Sequence, residues 1–167
     1  AVGGGTMKVD EIAIQPLEKS QVIEVSVSSR GKGLILGPGA QIHRFDPHRI
    51  VAWRDDCQLH LPNDWYDFLS TDPNTLPLKP DTVYTVWFDC ALQPRIGVGD
   101  YAYLSIRRSG NDRSKETAFF RWTQHYTSNP VNHAYSFRTG PFGDYQLVWG
   151  LKNGGRCELA NITIIRR

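Results

Sequence analysis

The alternation of apolar and polar positions is strongest over residues 78–92. A Pro80-Asp81 turn opens this stretch, and a run dense in β-branched and aromatic side chains follows. In an extended chain Tyr84, Val86, Phe88, Cys90 and Leu92 share one face, and Val83, Thr85, Trp87, Asp89 and Ala91 share the other. The first set is apolar throughout and predicts a core face. The second carries a Trp two residues from an Asp, an unusual load for a solvent face.

The same period of two recurs along the chain. Residues 9–14 alternate weakly. Residues 22–28 alternate cleanly, with Ile23, Val25 and Val27 inward. Short strands are predicted at 34–36, 41–45, 50–53 and 58–61, separated by Gly-Pro and Asp-Pro turns. Residues 63–70 hold Trp65, Tyr66 and Phe68, and one helical turn over 64–69 competes with a strand there. Beyond the central run, strands are predicted at 101–108, 117–127, 133–139, 144–151 and 156–165. Ala102, Leu104 and Ile106 point inward from the first of these, and Ala160, Ile162 and Ile164 share a face of the last. Asn153-Gly154-Gly155 is a hairpin turn. Eight to ten antiparallel strands with little or no helix predict an all-β sandwich of jelly-roll type. Residues 9–167 read as a single domain, and residues 1–8 as a flexible N-terminal arm or an expression remnant.

Composition narrows the function classes more than it names one. With 167 residues, 40% hydrophobic, 22% charged and a net charge of +2, the chain has the make-up of a globular domain. That charge gives no reason to expect nucleic acid, and no apolar run is long enough for a membrane span. Arginines outnumber lysines 13 to 6, which favours interfaces and bidentate recognition. Cys57, Cys90 and Cys157 match no metal spacing and, being odd in number, cannot all pair internally. They read as reduced thiols, which implies assembly in a reducing, cytoplasmic compartment.

Three stretches resemble the carbohydrate-binding-module jelly roll of the galactose-binding-like kind. Leu78-Lys79-Pro80-Asp81-Thr82-Val83-Tyr84-Thr85-Val86-Trp87-Phe88 is similar to the family's Leu-x-Pro-Gly-x-x-Tyr-x-Val-x-Phe run, with Asp81 where Gly is usual. Phe137-Arg138-Thr139 with Tyr145-Gln146-Leu147 is similar to its Phe-x-Thr and Tyr-x-Leu pair. Leu159-Ala160-Asn161-Ile162-Thr163-Ile164 is similar to its closing strand, with Ala160 in place of an acidic residue that often lies near a structural calcium. The resemblance covers about half the chain and implies a binding module, used also in viral attachment and decoration. No cofactor is expected, and the sequence gives calcium no support.

Sugar recognition places an aromatic ring against the apolar face of a pyranose, with carboxylates, amides or Arg bonding the hydroxyls. The resemblance implies that the concave sheet supplies both. Trp87, Asp89, Tyr103, Arg107 and Arg121 all point away from their strands' core sets and are the candidate ligand residues. The competing reading packs Trp87 under a loop, a sheet or a neighbouring subunit. Trp53, Trp65, Tyr66 and Phe68 form a second aromatic-rich region, either a loop platform for a ligand or, the favoured reading, a structural plug over the barrel end. Arg107, Arg108, Arg113 and Lys115 read as a solvated hairpin tip. No Gly-x-Ser-x-Gly, phosphate loop or metal-spaced histidines occur, so no enzyme is expected. Two functional readings remain open. One is a non-catalytic carbohydrate-binding module, either an appended domain or a particle-surface attachment protein. The other is a structural virion protein, a decoration or cement subunit assembled as a homotrimer against neighbouring copies.

Overall fold

The computed structural model describes residues 22–24, 33–54, 65–94, 101–110, 113–123, 129–153 and 155–167. Eleven strands lie among them: β1 (Val22–Glu24), β2 (Leu34–Leu36), β3 (Ala40–Ile42), β4 (Arg49–Arg54), β5 (Trp65–Thr71), β6 (Val83–Pro94), β7 (Tyr101–Arg108), β8 (Glu116–Trp122), β9 (Val131–Arg138), β10 (Tyr145–Lys152) and β11 (Gly155–Arg166). The count stands against an expected eight to ten, and three of the strands, β1, β2 and β3, are only three residues long. A 3-10 turn at Arg113–Lys115 is the one helical element among the described residues. No helix there is long and apolar enough to cross a membrane. The strands expected at 9–14 and 58–61 lie outside the described residues.

All pairings are antiparallel and build two sheets. One runs β3-β4-β11-β6-β9, with β1 paired to the far end of β11; the other runs β2-β5-β10-β7-β8. This is the all-β sandwich the alternation predicts. Tyr84, Val86, Phe88, Cys90 and Leu92 of β6 enter one core with Ala102, Leu104 and Ile106 of β7 and Leu147, Trp149 and Leu151 of β10. Phe88 meets Trp149 edge-on at 5.9 Å across the interface between the sheets. Cys90 and Cys157 are free and buried there, their sulfurs 3.4 Å apart, so they act as small apolar groups.

β5 and β11 carry bulges, the first in a segment whose reading was open and the second where an expected facing fails. Residues 65–71 form β5 and not a helical turn. Trp149 and Gly150 of β10 stand opposite Leu69 and Asp67, so Phe68 is an extra residue, and both Phe68 and Leu69 reach the core. In β11 the register shifts between Ala160 and Thr163, where Asn161 takes φ 55°. The shift changes the phase: Leu159 is inward before it, Ile162 and Ile164 after it, and Ala160 faces out. A strict period of two cannot see either bulge.

Candidate functional site

The sheet order divides the five candidate ligand residues. β6 belongs to the six-stranded sheet, and β7 and β8 to the five-stranded sheet. Trp87 and Asp89 therefore leave one outer surface, and Tyr103, Arg107 and Arg121 leave the other, with the core between them. They do not share one groove. Pointing away from a strand's own core set is necessary for convergence, but only topology decides which surface is reached.

On the outer face of the five-stranded sheet, the floor is set by Gly150. This residue stands between Asp67 of β5 and Tyr103 of β7. A Cβ on it would lie 2.1 Å from the Tyr103 ring, so only glycine lets that ring cross the strand. The Tyr103 hydroxyl thereby reaches and donates to Asp67. Burial, with the Asp67 carboxylate beside it, pushes this hydroxyl well above the usual phenol range and keeps it a donor. Arg107 meets the same carboxylate with both terminal nitrogens, at 2.8 and 3.0 Å. Its Nε donates to Ser105 at 3.0 Å, and Ser105 donates to Glu116. One network thus runs from β8 to β5. Tyr103, Ser105 and Arg107 are 0% exposed although they face away from the core. Arg107 is a buried, paired charge and not part of a solvated hairpin tip.

An aromatic cluster lies over this floor. Trp65 meets Tyr103, Phe119 and Tyr101 edge-on at 5.3, 6.0 and 6.1 Å, and Phe119 stacks on Tyr103 at 5.6 Å. The Arg113 guanidinium lies 3.4 Å from the Trp65 ring centre, and the Lys152 ammonium 4.0 Å. Arg121 is exposed, 5.4 Å from the Tyr101 ring. Trp65, expected to plug the barrel end or to serve as a ligand platform, lies in this cluster, and Asp67 is not among the residues the sequence singles out. The signal was present: Trp65 and Asp67 alternate with buried Tyr66 and Phe68.

Beside Asp67 the sheet opens into a hollow of about 230 Å³, lined chiefly by Ile35, Pro38, Asp67, Ser70 and Val148. Asp67 is shared by the hollow and the buried network. Its side chain keeps 27% exposure, so a carboxylate fixed from below still presents acceptor sites to a ligand.

The other outer face differs. Trp87 is half-buried, opposite Thr163 and Ala134, with the Arg167 guanidinium 5.4 Å from its ring. Asp89 accepts from Asn132 at 3.0 Å and from Asn161 at 2.7 Å. Among the described residues, no group of three or more His, Cys, Asp or Glu comes together to hold a metal ion.

No protein-family model matches the chain, and no curated protein does. Solved structures do match in fold. The C-terminal CBM6 module of the laminarinase LamC from Zobellia galactanivorans aligns with TM-score 0.53 at 9% identity, covering 86% of this chain and 98% of that one. The CBM22-1 xylan-binding domain of Xyn10C from Paenibacillus barcinonensis aligns with TM-score 0.53 at 9% identity, covering 86% and 92%. A chain of the Glycosylation Associate Protein complex from Streptococcus agalactiae aligns with TM-score 0.52 at 12% identity over 87% of this chain. The present chain spans only a quarter of the length of that last protein. At these identities the likeness establishes the fold: this is the jelly roll shared by carbohydrate-binding modules.

Proposed function

We propose that this protein binds carbohydrate without catalysis, on the outer face of the five-stranded sheet. The observation that carries the reading is the placement of Asp67. It is held by Arg107 and Tyr103 from below, it opens onto the hollow on one side, and it adjoins the Trp65 cluster on the other. A sugar needs apolar surface against its C–H groups and a fixed acceptor for its hydroxyls; Ile35 and Pro38 of the hollow supply the first beside the Asp67 carboxylate. Preorganisation matters because a carboxylate already locked in place loses little freedom on binding. The hollow is below the usual volume range for drug-sized ligands, which suits one or two sugar rings held on an open face. The fold shared with modules named for carbohydrate binding supports the same reading.

Affinity electrophoresis against soluble xylan, β-1,3-glucan, β-1,4-glucan and galactan tests it. At least one polysaccharide is expected to retard the protein, and Trp65→Ala and Asp67→Asn are each expected to abolish the retardation in samples that circular dichroism shows to be folded, with Asp67→Asn the less stable because it leaves the Arg107 charge unpaired. Retardation by none of the four, or retardation unchanged in both variants, overturns the proposal.

A further inference from the structure

We propose that the outer face of the six-stranded sheet is a second oligosaccharide-binding surface, bounded by Trp53 and Trp87. Trp53, near the end of β4, leaves 59% of its surface in solvent, a large exposure for an indole on a sheet. In register it stands opposite Arg156 of β11, which stands opposite Gln93 of β6. Trp87 lies six residues back along β6, so the two indoles are separated by about 20 Å along the strands. That span suits a short chain of sugars and exceeds a single ring.

What lies between them favours a glycan over a protein partner. The floor is made of small side chains, Ala91 opposite Glu158 and Ala160 opposite Asp89. Over Ala91 is a hollow of about 120 Å³, walled by Gln93, Arg156 and Glu158. Each of the two carboxylates is held by a pair of donors. Glu158 accepts from Arg49 at 2.9 Å and Arg156 at 2.7 Å, and Asp89 accepts from Asn132 and Asn161. Protein interfaces gather aromatic residues at a centre depleted of charge. Here the order is reversed, with rings at the ends and fixed polar groups along the middle. An amphipathic, hydroxyl-bearing chain fits that order: its ring faces lie on the indoles and its hydroxyls meet the carboxylates, amides and guanidiniums. This surface is separated from the Trp65 face by the whole core, so the two sites are independent.

Indole N–H resonances of 15N-labelled protein distinguish the two faces. Wild type is titrated with xylohexaose, cellohexaose and laminarihexaose, with assignments from Trp53→Phe, Trp65→Phe and Trp87→Phe. At least one hexaose is expected to move the Trp53 and Trp87 signals saturably, and to do so equally in Trp65→Ala. Trp53→Ala, an exposed substitution that leaves the fold intact, is expected to weaken this binding tenfold or more. Shifts confined to Trp65 overturn the second surface and leave the first standing. Shifts at Trp53 and Trp87 alone do the reverse. Movement of none of the three indoles by any hexaose overturns the second surface.

Discussion

Tyr103 lies across Gly150, its ring occupying the space a side chain on that residue would take, with its hydroxyl on Asp67 one strand beyond. Gly150→Ala is therefore expected to destabilise the fold by about 2–3 kcal/mol, through overpacking and loss of the Tyr103–Asp67 hydrogen bond. A second variant separates that cause from glycine's backbone freedom. In a Tyr103→Ala background the three atoms nearest the added methyl are gone, so its effect is expected to shrink below about 1 kcal/mol. Equal urea-unfolding penalties in both backgrounds would show that the ring is not the obstacle.

Asp67→Ala removes the partner of a guanidinium with no access to water. An unpaired buried charge is severe, so a loss of about 3–5 kcal/mol is expected. Replacing both partners, Asp67→Leu with Arg107→Met, is expected to recover most of that stability while leaving no carbohydrate binding. Denaturant midpoints and affinity electrophoresis on the same samples read the two effects. A double variant as unstable as Asp67→Ala would mean that the pair contributes more than mutual neutralisation.

The architecture was legible because a half-buried sheet writes its inner face into alternate positions. Tyr84, Val86, Phe88, Cys90 and Leu92 were read inward and are inward. The site was legible only by halves. Tyr103 and Arg107 face away from the core as expected, but the Tyr103 ring is covered by Gly150, Trp65 and Arg113, and the Arg107 guanidinium is paired by Asp67, all of which come from other parts of the chain. Trp87 and Asp89 had the same local signature, yet they reach the opposite surface, because β11 and not β7 pairs with β6. Pairing order depends on long-range packing, and no local pattern encodes it. Ala160 was misplaced for a different reason, a bulge that resets the phase within one strand.

Asp81 explains a departure in the sequence. It stands where the resembling family carries glycine, and its φ is 48°, in the left-handed region that glycine enters freely. Its N–H donates to the Gly140 carbonyl at 2.9 Å, which fixes the turn in front of β6. Aspartate tolerates this conformation better than most residues. Asp81→Gly is expected to be neutral or to stabilise by up to about 1 kcal/mol, whereas Asp81→Val is expected to destabilise by about 1–2 kcal/mol. Melting temperatures should rank glycine at or above aspartate, with valine lowest; valine at parity would contradict the strain.

His133 gives the stability a pH dependence with a definite sign. Its ring stacks on Phe88 at 5.5 Å and lies 4.9 Å from Trp122, and its buried Nε2 has no hydrogen-bond partner among the described residues. Burial lowers its pKa below the ordinary histidine value, and the nearby Asp89 charge opposes this only in part. The folded state thus binds the proton less readily than the unfolded chain. Its contribution is full above the unfolded value of about 6.5 and is lost as pH falls through the lowered folded value. Glu158 also has a depressed pKa: burial works to raise it, but the bonds and charges of Arg156 and Arg49 prevail. Its contribution is full above about pH 4.3 and fades only as the medium grows more acidic than that. The two windows are therefore distinct. Between pH 7 and 5 the urea midpoint of the wild type is expected to fall, and His133→Phe, which keeps an aromatic ring without a titrating nitrogen, is expected to fall less. Parallel slopes for the two proteins would assign the loss to other groups.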